Sequence, residues 1–213
     1  MFKQKHLFEK EVVNKTYRAI RHDVVRKRQK ENCSSAHHPD EKISQLQRIL
    51  KNKTGLKILE LFSGQGNLTN YYKNHGDVLA YDKKHLKTGD SFLIFHSLIF
   101  EKKKYDVIDL DPYGFPNRFF PDIFLLIDCG LLFVTMPKPS VNILNGITQT
   151  HLISYYGEPN PSKKTIVEKI VLFGLCHWRQ VELIDDIDLK SIWRFVFNVK
   201  KVKATEYTGV KNR

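Results

Sequence analysis

Between residues 56 and 135 the chain alternates short apolar runs with amphipathic stretches. The apolar runs at 56–62, 78–81, 105–110 and 131–135 have the length of buried strands. Helices are predicted between them at 67–73, around 92–99 and at 121–129. Strands that alternate with helices at this spacing indicate a parallel sheet with helices on both faces.

The last third of the chain has a different pattern. A loop rich in glycine, proline and serine at 157–162 precedes a predicted helix at 165–177, and two long strands follow at 178–188 and 192–202. Because only a few residues separate these strands, they must run antiparallel. The sequence therefore predicts an α/β fold with a Rossmann-like, doubly wound sheet, mostly parallel with a C-terminal antiparallel hairpin.

The first quarter of the chain is predicted to be helical. Residues 8–30 carry an apolar stripe and, on another face, a basic ridge that includes Lys15, Arg18 and Arg26. After a polar loop, Asp40 is a predicted N-cap of a second helix that ends before Gly55. We therefore divide the chain into a basic helical segment at 1–54, a sheet domain at 55–203 and a polar tail at 204–213.

The distribution of charge is strongly uneven. The chain has 213 residues and a formal net charge of +12, and residues 1–53 hold 14 basic against 6 acidic side chains, which is +8 of that total. A polyanion is the natural partner for such a segment, so we expect Lys15, Arg18, Arg26 and Arg28 to contact nucleic-acid phosphates. An ordinary solvated basic face is the alternative.

Several classes of protein fit the sequence poorly. No apolar run approaches the ~18 residues of a membrane span, and the first residues lack the apolar core of a signal peptide. Three scattered cysteines favour a reducing compartment, and Cys33 with His37 and His38 has no second ligand pair at zinc-finger spacing. We expect a soluble, cytoplasmic protein with no metal centre and no membrane association.

A glycine turn follows the first predicted strand. Its candidate binding residues are Glu60, Phe62, Ser63, Gly64, Gly66 and Asn67. Glycines here let the backbone approach a ligand closely, and the next helix presents free N–H groups. The acid at the end of the buried strand needs a hydrogen-bonded partner. Thr69 stands where a full dinucleotide fingerprint has a third small residue, and a tight turn without a ligand is the alternative.

Two further acids follow in the next connections. Asp82 ends the second predicted strand, where a carboxylate can accept both ribose hydroxyls of an adenosine that lies across the sheet edge. This position also suits NAD, and a solvated turn aspartate is the alternative. Asp90 could accept a hydrogen bond from an adenine amino group or cap the following helix.

The third predicted strand ends in Asp111, Pro112, Tyr113 and Gly114. An exocyclic amine on a nucleic-acid base is a poor nucleophile because its lone pair is delocalised into the ring. A carboxylate and a backbone carbonyl that accept its two N–H groups would localise that lone pair and assist loss of the proton. The tyrosine ring could stack on the base. An Asp-Pro turn with a core tyrosine is the alternative.

Taken in this order, the glycine turn, Asp82, Asp90 and the Asp-Pro-Tyr-Gly motif resemble the class I S-adenosylmethionine-dependent methyltransferases over about residues 56–202. The stretch 107–114, Val-Ile-Asp-Leu-Asp-Pro-Tyr-Gly, with the strand at 131–135, is most similar to the tRNA guanine-N2 dimethyltransferases. The resemblance implies an S-adenosylmethionine cofactor. It implies Glu60, Gly64 and Gly66 on its methionine side, Asp82 on the ribose, Asp90 on the adenine, and Asp111, Pro112 and Tyr113 at the transferred methyl group.

The expected function is methylation of an exocyclic base amine, with guanine N2 of tRNA or another RNA as the favoured target. DNA amino-methyltransferases carry Asp or Asn, two prolines and an aromatic residue, whereas here Tyr113 replaces the second proline and Gly114 the aromatic residue. This departure favours RNA over DNA, and a protein partner could supply further substrate binding. A DNA adenine-N6 methyltransferase, an NAD-dependent oxidoreductase and an inactive nucleic-acid-binding subunit are the alternatives.

Overall fold

The computed structural model describes residues 38–139 and 146–202. The chain divides into two compact units, Met1–Pro39 and Asp40–Arg213. The helix predicted at 8–30, with Lys15, Arg18, Arg26 and Arg28, lies outside the described residues, as does the tail at 204–213. The second predicted helix belongs to the unit that contains the sheet. The division of the chain at residues 54 and 203 stays a prediction.

The described part of the chain contains all six predicted strands, and its helices follow the prediction except between the third and fourth strands and at residues 146–156. In chain order they are α1 (Pro39–Ile49), β1 (Leu56–Glu60), α2 (Asn67–Tyr72), β2 (Gly76–Ala80), α3 (Ser91–Phe100), β3 (Val107–Leu110), β4 (Cys129–Pro137), α4 (Gly146–Tyr156), α5 (Lys163–Cys176), β5 (Arg179–Asp188) and β6 (Ile192–Lys201). None of the helices in the described ranges has the length and apolar character that crossing a membrane requires.

The six strands form one sheet in the order β2-β1-β3-β4-β6-β5. Strands β1 to β4 are parallel, and β6 runs antiparallel to both β4 and β5. The predicted parallel sheet with a C-terminal antiparallel hairpin is confirmed. Because β1 has β2 on one side and β3 on the other, the topological switch point lies beside β1, and the crevice at the carboxyl ends of these strands is where such folds bind ligands.

The connection between β3 and β4 differs from the prediction. The helix predicted at 121–129 is wrong: two short 3-10 turns, Asn117–Phe119 and Ile123–Leu125, join the strands, and β4 already begins at Cys129. Nearly all apolar residues of this stretch are buried in the core. Because they are buried on every side, their apolar character does not indicate an amphipathic helix. Helix α4 was not predicted.

Two hydrophobic clusters cover the two faces of the sheet. On one face α3 and α5 pack through Phe95, Leu98, Ile166 and Ile170. On the other face α1 and α2 cover the sheet, and the buried residues there are Leu46, Leu50, Ile58, Leu68, Tyr72, Val107, Leu131, Phe133 and Val196. Helix α1 is thus part of the core, and its Lys42 side chain reaches Asp111 just beyond the carboxyl end of β3.

Candidate active site at the carboxyl edge of the sheet

Strand register brings the predicted acids to one edge of the sheet. Glu60 at the end of β1 pairs with Ala80 of β2 on one side and with Asp109 of β3 on the other. Asp82 lies two residues beyond the end of β2, and Asp111 directly follows β3. The three sequence segments that carry the predicted site therefore meet at the switch point.

The glycine turn has the backbone geometry that only glycine adopts easily. Gly64 and Gly66 have φ angles of +56° and +85°, and Gly66 is the N-cap of α2, so Asn67 begins that helix. A Cβ placed on Gly64 would meet no atom of the described residues within 4 Å. The turn thus faces open space into which a ligand could extend.

Neighbouring side chains fix the turn to the rest of the sheet edge. The backbone N–H and the hydroxyl of Ser63 both donate to the carbonyl of Tyr81, at 3.0 and 3.3 Å. The Phe62 ring packs edge-on against Phe119, with the ring centroids 5.5 Å apart. The Ser63 hydrogen bonds hold the turn beside the end of β2, and the Phe62 contact holds it against the connection between β3 and β4.

The carboxylate of Asp82 accepts hydrogen bonds from the backbone of the loop that follows β2. Its Oδ1 accepts from the N–H groups of Lys84 and His85 at 2.8 and 2.6 Å, and its Oδ2 accepts from the N–H of Gly64 at 3.1 Å. Because Oδ2 has a single donor among the described residues, it retains room for a further donor. Asp82 thus joins its own loop to the glycine turn, and its predicted role toward a ribose remains a prediction.

Asp90 is a helix cap in this structure. Its Oδ1 accepts from the N–H of Phe92 at 2.9 Å at the start of α3. The same carboxylate lies 3.8 Å from the ammonium of Lys83 and 3.9 Å from the guanidinium of Arg118, which also stacks over the Phe92 ring. The Phe92 hydrogen bond and these cations lower the pKa of Asp90. The capping alternative is therefore observed, and contact with an adenine remains a prediction.

Glu60 is 1% exposed and has the hydrogen-bonded partner that its burial requires, because Thr69 donates its hydroxyl to Oε2 at 2.5 Å. Burial and the adjacent Asp109 carboxylate raise the pKa of Glu60 to about 8, against the lowering effect of the Thr69 hydrogen bond. Glu60 is therefore largely protonated in the folded protein at neutral pH.

This raised pKa makes stability depend on pH. The folded state binds more protons at Glu60 than the unfolded state, so the stability it contributes is fully present below pH 4.5 and is lost as the pH rises through about 8. Glutamine cannot ionise. In urea unfolding, the stability of Glu60→Gln relative to the wild type should rise by about 2–3 kcal/mol between pH 5 and pH 7. Exposed Glu182→Gln is measured alongside as the control. A stability difference between Glu60→Gln and the wild type that stays constant over this range would contradict the assignment.

The Asp-Pro-Tyr-Gly motif presents an anchored acid and an exposed ring. Lys42 Nζ donates to Asp111 Oδ2 at 2.6 Å, and the Asp111 side chain is 17% exposed. Burial alone would raise the pKa of Asp111, but the charges of Lys42 and Arg194 outweigh it and hold that pKa below its usual value. Tyr113, after Pro112, is 67% exposed. An ionised carboxylate and an aromatic surface thus stand side by side at the end of β3.

A buried polar network lies behind this acid, and sequence reasoning missed it. Arg194 is fully buried and donates to both oxygens of Asp109, at 3.0 and 2.6 Å. It also donates to the hydroxyl of Thr135 at 2.7 Å and to the side-chain carbonyl of Gln45 at 3.1 Å. Tyr72 adds a hydrogen bond to Asp109 at 2.7 Å. Every described buried side-chain nitrogen and oxygen has a partner.

The sequence does contain a signal for this network. Side chains two residues apart in a strand share a face, so Asp109 and Asp111 lie on the same face as Val107, and Arg194 on the same face as Val196. An arginine within an otherwise apolar strand indicates a buried anionic partner.

The described residues hold no group of three or more His, Cys, Asp or Glu that could bind a metal ion.

Comparison with known proteins identifies the fold. No protein-family model and no curated protein sequence matches the chain. Among solved structures, Trm1 from Pyrococcus horikoshii in complex with S-adenosyl-L-methionine superposes with a TM-score of 0.58 at 17% identity, over 78% of this chain and 55% of that one. The chain thus spans about half the length of Trm1. It has the fold of the class I methyltransferases, which confirms at the level of the fold the resemblance found in the sequence.

Two further solved structures have TM-scores below that of Trm1. Trm5 from Methanocaldococcus jannaschii in complex with adenosine has a TM-score of 0.47 at 14% identity, over 75% of this chain and 49% of that one. The magnesium protoporphyrin IX methyltransferase ChlM from Synechocystis PCC 6803 with bound SAH has a TM-score of 0.48 at 13% identity, over 78% and 84%.

Proposed function

We propose that this protein is an S-adenosylmethionine-dependent methyltransferase that acts on an exocyclic amine of a nucleic-acid base, with guanine N2 of RNA as the favoured target. One observation carries the proposal: the ionised Asp111, with Pro112 and the exposed Tyr113, stands at the switch point beside the glycine turn and Asp82. This arrangement puts a hydrogen-bond acceptor for an amine next to a cradle for a nucleotide-containing cofactor.

The cofactor assignment rests on the fit of the residues present. Asp82 Oδ2 has a single donor, so it suits a ligand with ribose hydroxyls. The positive φ angles of Gly64 and Gly66 and the open space at Gly64 suit a short chain such as the methionine part of S-adenosylmethionine. The fold likeness to Trm1, solved with S-adenosyl-L-methionine, supports this choice. Thr69 argues against NAD, because it occupies the position of the third fingerprint glycine and donates to Glu60.

The chemistry follows from the protein groups at this edge. S-adenosylmethionine, when bound, supplies an electrophilic methyl group and retains the electron pair of the broken C–S bond on sulfur. Asp111 would accept an N–H of the amine, which localises the nitrogen lone pair as the N–C bond forms. The methylated nitrogen is then strongly acidic, so even a carboxylate of lowered pKa can take its proton and pass it to water. Tyr113 would stack on the base.

The preference for RNA over DNA rests on the motif at residues 111–114, and the preference for a nucleic acid rests on charge. Gly114 gives no aromatic ring where DNA amino-methyltransferases have one, and the net charge of +12 suits a polyanion. We assign the phosphate contacts to Lys15, Arg18, Arg26 and Arg28 on the density of positive charge in residues 1–53. A protein partner and a cytoplasmic location belong to the same proposal.

Removal of the Asp82 carboxylate should weaken cofactor binding. Asp82→Ala is expected to reduce S-adenosylmethionine affinity by about 1–3 kcal/mol, because the ribose hydroxyls lose a charged acceptor. Asp82→Asn keeps an oxygen that can accept from the loop N–H groups. It therefore distinguishes a loss of affinity caused by a collapsed loop from one caused by the missing ribose contact. Isothermal titration with S-adenosylmethionine and NAD side by side measures both effects. Unchanged affinity in Asp82→Ala, as expected for exposed Asp77→Asn, would remove Asp82 from the site.

The function itself is tested by a survey of substrates. Labelled S-adenosylmethionine is offered with total tRNA, ribosomal RNA or genomic DNA, and the methylated nucleoside is identified by mass spectrometry. The proposal predicts N2-methylated guanosine in RNA. N6-methyladenine in DNA would establish the rival target, and nucleic-acid binding without cofactor binding or methyl transfer would establish the non-enzymatic alternative.

A further inference from the structure

Lys42 is a buried lysine that reaches the candidate active site from outside the recognised motif. Its side chain is 4% exposed, and it lies on the buried face of α1 with Gln45 and Leu46. Its ammonium donates to Asp111, 69 residues further along the chain, at 2.6 Å. Lysine is almost never this buried unless it is paired, so the contact with Asp111 explains its burial.

The two buried cations of this region serve different acids. Arg194 holds both oxygens of Asp109, and both of these side chains are 0% exposed. Lys42 holds Asp111, which alone of the two acids reaches the surface, at 17% exposure. A buried ion pair is often no more stable than a well-packed apolar pair, so stability gives little reason to place a lysine at this position. The pair instead lies at the one of the two acids that a substrate can reach.

We propose that Lys42 is a positioning residue for the methyl transfer: it fixes the Asp111 carboxylate in one orientation and in its ionised form, ready to accept the substrate N–H. This inference rests on the proposed function. It makes α1 a necessary part of the active site, although the Asp-Pro-Tyr-Gly motif lies entirely after β3.

The charges around Asp111 set the direction of the expected effect. The cations that face it are Lys42 on α1 and Arg194 on β6, and the hydroxyl of Thr135 on β4 also stabilises its ionised form. The Glu60 carboxyl on β1 and the Tyr113 hydroxyl are electrostatically coupled to it. Lys42 is the cation in direct contact, so its removal should raise the pKa of Asp111.

The ion pair can be tested without any activity assay. In protein labelled with ¹³C at the aspartate carboxyl carbons, the Asp111 resonance is assigned by its absence in Asp111→Asn and followed from low to neutral pH. Lys42→Met should move its titration to higher pH, and Lys42→Arg should restore it toward the wild-type midpoint. Exposed Arg48→Met on the same helix should leave it in place. An unmoved midpoint in Lys42→Met would overturn the inference. Lys42→Gln replaces the methionine variant if that variant does not fold.

The positioning role is tested by the pH profile of kcat. Lys42→Met should lower kcat at neutral pH by about 10–100-fold with little change in KM for S-adenosylmethionine, and should move the acid limb of the profile to higher pH. Lys42→Arg should bring that limb back. If the wild type is active and Lys42→Met leaves both kcat and the acid limb of the profile unaltered, the positioning role alone is overturned. A wild type inactive on every nucleic acid offered would overturn the proposed function, and the positioning role with it, whatever the NMR titration shows.

Discussion

Replacement of Asp111 by asparagine is expected to reduce methyl transfer by about 10²–10⁴-fold while leaving cofactor affinity within about twofold. Asparagine keeps the size of the side chain and an oxygen for Lys42, so the fold should persist. It carries no charge to localise the lone pair of the amine, and it cannot take the proton that the methylated nitrogen releases. Initial rates with labelled S-adenosylmethionine and the nucleic acid that the substrate survey identifies measure the loss, and isothermal titration measures cofactor binding.

The matched control for this variant is Asp77→Asn, which removes an exposed carboxylate from the edge strand β2. It should have wild-type rates. Full turnover in Asp111→Asn would show that the acid takes no part in methyl transfer. An unfolded Asp111→Asn would show that the acid anchors α1 through Lys42.

The second large effect is expected in the buried network. Arg194→Met should destabilise the fold by about 3–5 kcal/mol, because it leaves the Asp109 carboxylate buried without its cation. The change is measured as the free energy of unfolding in urea. Loss of the exposed ion pair between Arg48 and Asp185 in Arg48→Met should cost less than about 1 kcal/mol and is the matched control.

A double variant separates the ion pair from the volume of the arginine. Asp109→Leu with Arg194→Met removes both charges, so it should recover a large part of the lost stability, since apolar replacements of a buried pair are often nearly neutral. The Tyr72 hydroxyl loses its acceptor in this variant, which limits the recovery. If the double variant is less stable than Arg194→Met, the charge of Asp109 is not what makes the single variant unstable.

The sequence predicts the sheet well because the relevant signals are local. Short apolar runs that end in glycine or aspartate define β1, β2 and β3, and their spacing places Glu60, Asp82 and Asp111 at one edge. The few residues between β5 and β6 leave only an antiparallel arrangement. The apolar stretch after Pro121 misled the helix prediction because complete burial removes the periodicity that distinguishes one element from another.

The partners of the acids are harder to predict because they come from distant parts of the chain. Lys42 and Asp111 are 69 residues apart, and Arg194 and Asp109 are 85 apart. Helical spacing gives one clue, since Lys42 lies four residues before Leu46 and so extends the apolar stripe of α1 back by one turn. Which acid such a lysine meets depends on how α1 lies on the sheet, and that is fixed by tertiary packing.

The most direct test of this account is a crystal structure of the protein with S-adenosylmethionine. We expect the ribose hydroxyls within hydrogen-bond distance of Asp82, the methionine arm along the turn of Gly64 and Gly66, and the methyl group directed toward Asp111. A cofactor bound elsewhere on the molecule, or bound in this crevice with its methyl group directed away from Asp111, would contradict it.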